Sequence, residues 1–369
     1  MTVKIMIGDV FEKLRGLPSD SMHCVVTSPP YWGLRDYGVA GQIGLERTLG
    51  AHLETMVAVF GEIRRVLRPD GTCWINYGDS YATRPNGRSA ASAKAAGGDD
   101  RTFRDKPFST VGPICDRGGQ GTIVAGGTLK AKDLCMIPNR LAIALQDDGW
   151  WVRSEIVWAK PNPMPESVTD RPATAHEKIF LLTKSSRYFY DAAAVREPAA
   201  ESSIARWKQD IDAQAGSGRA HAGEKTNGPM KAVGGPKRGS FRRANSKRGV
   251  AQLGQSMGTH RPDRPDTDYC DPARKRNLRN VWTVATKPFR DAHFATFPPA
   301  LVETCLKAGC PAGGVVLDPF AGAGTTGLVA DRLGRDCVLI ELNPAYAEIA
   351  RRRIAADRGA LLDNVEMVA

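Results

Sequence analysis

His23-Cys24-Val25-Val26-Thr27-Ser28-Pro29-Pro30-Tyr31-Trp32 is a short apolar run that stops in two prolines and two aromatics. The run reads as a buried strand. Each proline fixes its own φ and drives the residue before it into an extended conformation. Ser28 and Pro29 both precede a proline, so both are stiff and extended. Their carbonyls point in set directions, with no proline N–H to compete for them. Tyr31 and Trp32 add flat faces at once. A rigid edge of acceptors beside an aromatic wall suits a planar ligand carrying an amino group, such as a nucleobase. A Pro-Pro turn with both aromatics in a core is the competing reading.

Around this stretch the chain alternates strand and helix signals. Val3 to Ile7 is a strand candidate ending at Gly8-Asp9, followed by a helix with Phe11 and Leu14 on one face. Leu53 to Leu67 carries apolar residues at helical spacing, and Pro69-Asp70-Gly71 stops it. Thr72 to Asn76 is a strand closing at Gly78-Asp79. Residues 81–132 change character, rich in Gly, Ala, Ser and Arg, and read as a long flexible insertion. Order resumes with a helix over Leu134 to Gln146 and a strand over Trp151 to Trp158. Lys178 to Thr183 is a continuous apolar strand, as expected where helices cover both faces of a sheet.

The composition is that of a globular chain of 369 residues, 42% hydrophobic and 25% charged. Such a length suits about two domains. The formal net charge is +11. Residues 196–280 hold 18 Lys and Arg against 9 Asp and Glu, so most of that excess lies in one segment. Positive charge concentrated on a poorly cored segment fits a phosphate backbone, and a basic linker is the plainer alternative. No apolar run reaches the roughly 18 residues of a membrane helix. The start of the chain lacks a signal-peptide pattern. Eight cysteines occur without a CxxC pair, which predicts free thiols, no metal site and a cytoplasmic setting.

The last segment is again α/β. A helix over Phe297 to Ala308 and a strand over Val315 to Leu317 lead into Asp318-Pro319-Phe320-Ala321-Gly322-Ala323-Gly324-Thr325-Thr326. A helix over Gly327 to Leu333 and a strand over Cys337 to Ile340 follow, ending at Glu341. Asn343 caps a final helix, with Pro344 at its first position. A strand, a Gly-x-Gly turn and a helix start let a ligand approach the backbone closely. A carboxylate ending the next strand, as Glu341 does, can accept hydrogen bonds from both ribose hydroxyls. With no Gly-Lys-Ser/Thr, a phosphate-loop nucleotide is disfavoured. Asp9, Ser28, Asp318 and Glu341 each lie just past a predicted strand, where open α/β sheets bind ligands.

Ser-Pro-Pro-Tyr early, Asp-Pro-Phe-Ala-Gly-Ala-Gly-Thr-Thr late and a basic segment between them resemble the amino-group DNA methyltransferases. The motif order is that of their beta class. The resemblance covers most of 1–195 and 281–369. It implies an α/β, Rossmann-like S-adenosylmethionine-dependent fold with circularly permuted motifs. The catalytic half would be 1–195, a target-recognition region 196–280, and the cofactor half 281–369.

By the same resemblance, Ser28, Pro29, Pro30 and Tyr31 form the catalytic set. The Ser28 side chain and Pro29 carbonyl accept from the target amino group, and Tyr31 stacks on the base. Asp318, Phe320, Gly322, Gly324 and Thr325 line the methionine end of S-adenosylmethionine. Glu341 holds the ribose with Asn343 beside it, and Asp9 lies near the adenine. His293 to Pro298 resembles a segment closing over the cofactor.

Two acceptors off the ring plane would localise the delocalised lone pair of an exocyclic amino nitrogen. An in-line approach to an activated methyl is then the main remaining need. The target base must leave the duplex, and Tyr31 offsets part of that cost. In the family that the motifs resemble, Ser in place of Asp leans toward cytosine N4, so the resemblance implies cytosine N4, with adenine N6 as the alternative. The resemblance implies double-stranded DNA as partner, with a cognate restriction enzyme as a candidate second one. Monomer and homodimer both stay open. An RNA or protein amino-group methyltransferase, or a DNA-binding relative without activity, are the other readings.

Overall fold

A computed structural model describes residues 1–33, 38–46, 48–82, 129–130, 132–201, 275–286, 289, 297–358 and 365–368. The insertion expected over 81–132 and the basic segment over 196–280 fall almost wholly outside these residues. The chain divides into two compact units, one of Met1–Val195 with Arg279–Ala369 and one of Arg196–Leu278.

In chain order the larger unit holds strands Val3–Ile7 (β1), Met22–Thr27 (β2), Leu67–Tyr77 (β3), Trp151–Ala159 (β4) and His176–Thr183 (β5). The smaller unit holds Glu197–Pro198 (β6) paired antiparallel with Lys275–Arg276 (β7). Back in the larger unit come Val281–Thr283 (β8), Val315–Asp318 (β9), Asp336–Glu341 (β10) and Val365–Val368 (β11). The helices are Val10–Arg15 (α1), Leu49–Val66 (α2), Ile137–Asp147 (α3), Pro299–Gly309 (α4), Thr325–Arg332 (α5) and Pro344–Arg358 (α6).

Among the described residues one sheet of nine strands runs β11-β1-β10-β9-β2-β3-β5-β4-β8. Every neighbouring pair is parallel except those made by β5, which runs antiparallel to β3 and β4. The apolar run of β5 is therefore a reversed strand in a covered sheet. The central strands alternate sides: Val25, Cys73, Ile75, Leu317 and Ile340 join the cluster built with α1, α2 and α3. Cys24, Val26, Trp74, Val316 and Leu339 are buried outside that cluster. Helix α4 packs on β2 and β3, and α5 and α6 continue that layer. Both faces are covered at the central strands, which is why residues 24–26, 73–75 and 316–317 are apolar on both sides.

Local chemistry explains most boundaries. Thr48 caps α2 by accepting from the Ala51 N–H at 3.0 Å. Met56, Val59, Phe60, Ile63 and Val66 then recur at helical spacing and are fully buried. Pro69-Asp70-Gly71 does not hold off β3 until Thr72, where the sequence places its start. Met22 pairs with Leu67 and Cys24 with Thr72, so these residues bulge out of an already started strand. Helix α3 starts at Ile137 and not at 134, because Leu134 bridges to Tyr81 and Met136 takes a positive φ of 58° before Pro138. At Gly309 a Cβ would sit 2.5 Å from the Trp74 indole nitrogen, so α4 lies close against β3 only because that position is bare.

Candidate active site

Five parallel strands, β1, β10, β9, β2 and β3, lie side by side. Their C-terminal ends carry Asp9, Glu341, Asp318, Ser28 and Gly78 along one edge of the sheet. Ile7 is in register with Glu341, and Leu339 with Asp318. Neighbouring strands are about 4.8 Å apart. The late strands β10 and β9 are threaded between the early strands β1 and β2. The proline loop and the glycine turn, far apart in sequence, thus leave adjacent strands.

Asp318 joins them. It is completely buried, and its Oδ1 accepts from the Thr27 hydroxyl at 2.7 Å and from the Phe320 N–H at 3.1 Å. Its Oδ2 accepts from the Thr326 hydroxyl at 2.7 Å. Burial pushes this carboxyl up to about 6 in spite of those hydrogen bonds. Asp318 therefore acts from behind the surface, tying the residue before Ser28 to the strand and helix around the glycine turn. Thr325 is also buried, its hydroxyl taken by Arg353 at 2.9 Å. Gly324 has φ +71°, and a Cβ there would meet Ala350 of α6 at 2.7 Å. Its glycine serves the turn and the packing of α5 on α6. The sequence places these three residues at a ligand; the structure buries all three.

Phe320, Gly322, Glu341 and Asn343 remain partly open. Gly322 has φ +51° and donates its N–H to Glu341 Oε2 at 2.8 Å. Glu341 Oε1 accepts from the Asn343 N–H at 2.9 Å. Burial pushes the Glu341 carboxyl up to about 7, with the buried Asp318 adding to the effect. Each oxygen thus has one N–H partner and a lone pair to spare. Asn343 accepts from the Ala345 N–H at 2.9 Å, so it caps α6 as its position suggests. Asp9 caps α1, accepting from Phe11 and Glu12 N–H groups at 2.9 and 3.1 Å. Most of His293 to Pro298 lies outside the described residues.

The surroundings of Tyr31 come from strands, not from its own motif. Its ring stacks on Tyr77 with centroids 4.8 Å apart and 27° between planes. A Cβ on Gly78 would stand 2.5 Å from the Tyr31 ring, so the bare backbone there makes room for it. The Tyr31 hydroxyl donates to Glu177 Oε2 at 2.8 Å. Burial, and then the Glu177 charge, hold the phenol well above its ordinary value. The same Glu177 oxygen accepts from Asn76 Nδ2 at 3.0 Å, and its other oxygen pairs with Lys160. Lys160 lies over the Trp158 ring, 4.5 Å from its centroid.

Residues 22–352 match the N6/N4 methylase family, described as DNA methylase. The chain belongs to this family. It is 42% identical over 347 residues to the Type II methyltransferase M.XycI of Xanthomonas campestris pv. cyanopsidis, covering 94% of this chain and 86% of that one. It is 39% identical over 355 residues to the Type II methyltransferase M.SmaI of Serratia marcescens, covering 96% and 91%. The fold is that of the solved PvuII DNA methyltransferase (cytosine-N4-specific), with TM-score 0.54 and 15% identity over 100% and 95% of the two chains. TTHA0409 of Thermus thermophilus, solved with S-adenosyl-L-methionine, gives TM-score 0.51 at 20% identity over 99% of both chains. The expectation of a Rossmann-like amino-group DNA methyltransferase is met. S-adenosylmethionine is the cofactor of the family.

In this methylase the loop motif is legible from sequence, but its support is not. Glu177, Asn76, Tyr77 and Lys160 sit on β5, β3 and the end of β4, each without a motif of its own. One signal was available. Asn76 is a polar residue closing an apolar strand, and a buried polar group at a strand's C-terminal end points to a site.

Proposed function

We propose that this DNA methylase transfers the methyl group of S-adenosylmethionine to the N4 amino group of a cytosine in duplex DNA. The observation that carries the reading is the bond between Thr27 and Asp318, which fixes the proline loop and the glycine turn on adjacent strand ends. A base pocket and a cofactor cradle so placed share one edge. The cradle suits the cofactor by the chemistry of its groups. Glu341 offers two unspent lone pairs at the level of a ribose diol, and Gly322 brings bare backbone next to it. Phe320 and Asn343 would flank the ligand, and Asp9, past the end of β1 beside β10, would face the adenine. When bound, the cofactor supplies a methyl group already activated on a sulfonium.

The remaining work falls to the chain. The Ser28 hydroxyl and Pro29 carbonyl accept hydrogen bonds from the target amino group and hold its lone pair out of conjugation. Tyr31 stacks on the extruded base with the face that Tyr77 does not cover, offsetting part of the flipping cost. No covalent enzyme intermediate forms: the bond from methyl to sulfur breaks as the bond to the amino nitrogen forms, and the methylated nitrogen loses its proton afterwards to water. Ser28 at the head of the motif favours cytosine N4, with adenine N6 as the alternative. Residues 196–280, which carry a net +9, would supply target recognition through the DNA backbone and bases. The named relatives are Type II methyltransferases, so a restriction enzyme of the same specificity is the expected partner, in the cytoplasm. No described helix is long and apolar enough to cross a membrane.

The test is nucleoside analysis of unmodified bacterial DNA after incubation with the protein and labelled S-adenosylmethionine. N4-methyldeoxycytidine is the expected product. N6-methyldeoxyadenosine would move the assignment to adenine, and label in RNA or protein alone would reject the DNA reading.

A further inference from the structure

Tyr77 is fully buried at the end of β3, yet its hydroxyl meets three polar partners. It donates to the Pro30 carbonyl at 3.0 Å and accepts from the Trp32 N–H at 3.2 Å. His52 Nε2 lies 2.7 Å away. His52 is itself fully buried, on α2, and its Nδ1 is 2.8 Å from Glu46 Oε2. Glu46 also accepts from the Gly44 N–H at 3.0 Å, and its backbone carbonyl takes the Trp32 indole N–H at 2.9 Å. Burial alone would raise the Glu46 carboxyl, but the hydrogen bonds from His52 and Gly44 hold it below the ordinary range.

The proton count is restrictive. Tyr77 has one proton, and spending it on Pro30 leaves its oxygen only as an acceptor. His52 Nε2 faces that oxygen and Nδ1 faces Glu46, with the donor and acceptor roles of the ring set by its tautomer. Both ring nitrogens are thus committed, one to a carboxylate and one to the tyrosine. If Nε2 instead took the tyrosine proton, the Pro30 carbonyl would lose this donor. The line Glu46–His52–Tyr77 therefore ends on the two peptides that flank Tyr31.

We propose that Tyr77, locked by the His52–Glu46 pair, is a positioning residue that fixes the catalytic loop at Pro30 and Trp32. Its hydroxyl orients the peptides on either side of Tyr31, and its ring stacks on the Tyr31 ring. Two carboxylates thus hold the loop, Glu46 through His52 and Tyr77 and Glu177 through the Tyr31 hydroxyl. The inference rests on the methyl-transfer reading and adds residues outside both motifs.

The experiment compares single-turnover methylation of unmodified bacterial DNA by the full chain and its variants. Wild type comes first: if it methylates no DNA, the functional reading fails before this one is reached. Tyr77→Phe keeps the ring and its stacking but removes the hydroxyl. Its rate should fall about 10- to 100-fold, as a displaced catalytic group implies, with dissociation constants for S-adenosylmethionine and DNA within about twofold. His52→Leu should lower the rate in the same way, and His52→Gln, which restores an N–H toward Tyr77, should recover most of it. A Tyr77→Phe rate within about twofold of wild type would overturn the proposal. So would a fall in rate matched by an equal fall in cofactor affinity, since that is general loosening. Should Tyr77→Phe fail to fold, the His52→Leu and His52→Gln pair decides, equal rates in the two rejecting the lock.

Discussion

Tyr31→Ala is expected to abolish methyl transfer while leaving S-adenosylmethionine binding intact. Stacking of a base on an aromatic ring is worth about 1–3 kcal/mol, so its loss alone costs roughly 5- to 150-fold. Truncation also removes the ring that packs on Tyr77 and against Gly78, and it takes from Glu177 its bond to the phenol. The amino group would then meet Ser28 and Pro29 in a poorly defined pose, for a combined loss of about 100-fold or more. Cofactor affinity should not follow. The contacts of Tyr31 lie on β3 and β5, whereas Glu341 ends β10, three strands away from β3. Single-turnover methylation paired with calorimetry checks both halves. Transfer above a tenth of the wild-type rate would show that Tyr31 does not carry the base.

Glu341→Ala should produce the opposite split. Hydrogen bonds to a charged acceptor contribute about 1.5–3 kcal/mol each. Losing two ribose hydroxyls, and leaving the Gly322 and Asn343 N–H groups without their acceptor, should weaken S-adenosylmethionine about 100-fold or more. A pH signature accompanies the loss. In the free protein burial lifts Glu341 to about 7, and ribose hydroxyls bind its ionised form. Wild-type affinity should therefore be level above about pH 8 and fall, by at most about tenfold per unit, as pH drops below about 7. Because the folded value exceeds the unfolded one, the stabilising share of Glu341 is present at low pH and lost as pH rises through about 7. Bound cofactor should reverse that trend in thermal melts. Glu341→Gln should bind with a flat pH profile, and a slope retained in that variant would place the titrating group elsewhere.

How far the sequence reached is clearest at particular residues. Helical spacing located α2, and the cap at Asn343 with Pro344 located α6, because those signals are local and repeat over several turns. Strand ends were legible for the same reason, and they placed Asp9, Ser28, Asp318 and Glu341 on one edge before any topology was known. The direction of β5 was not legible, since a buried strand is apolar whichever way it runs. Two short strands of the nine-stranded sheet carry no sequence signal either. Val281–Thr283 and Val365–Val368 have too few residues to show a period, and only their pairing with β4 and β1 makes them strands.

Within the site, residue identity was easier to read than exposure. Asp318, Gly324 and Thr325 belong to the motif, yet the fold turns them inward to hold the turn. The carboxylates that brace the catalytic loop, Glu46 and Glu177, reach it through His52, Tyr77 and Tyr31 from three separate elements. No spacing in one dimension encodes such convergence.

A crystal structure of the protein with S-adenosylmethionine bound is the most direct check on whether one edge serves both ligands. The ribose hydroxyls should rest on Glu341, the backbone of Gly322 should face the cofactor, and the methyl should open toward Ser28, Pro29 and Tyr31. A cofactor seated elsewhere, or one whose methyl points away from the proline loop, would contradict the account.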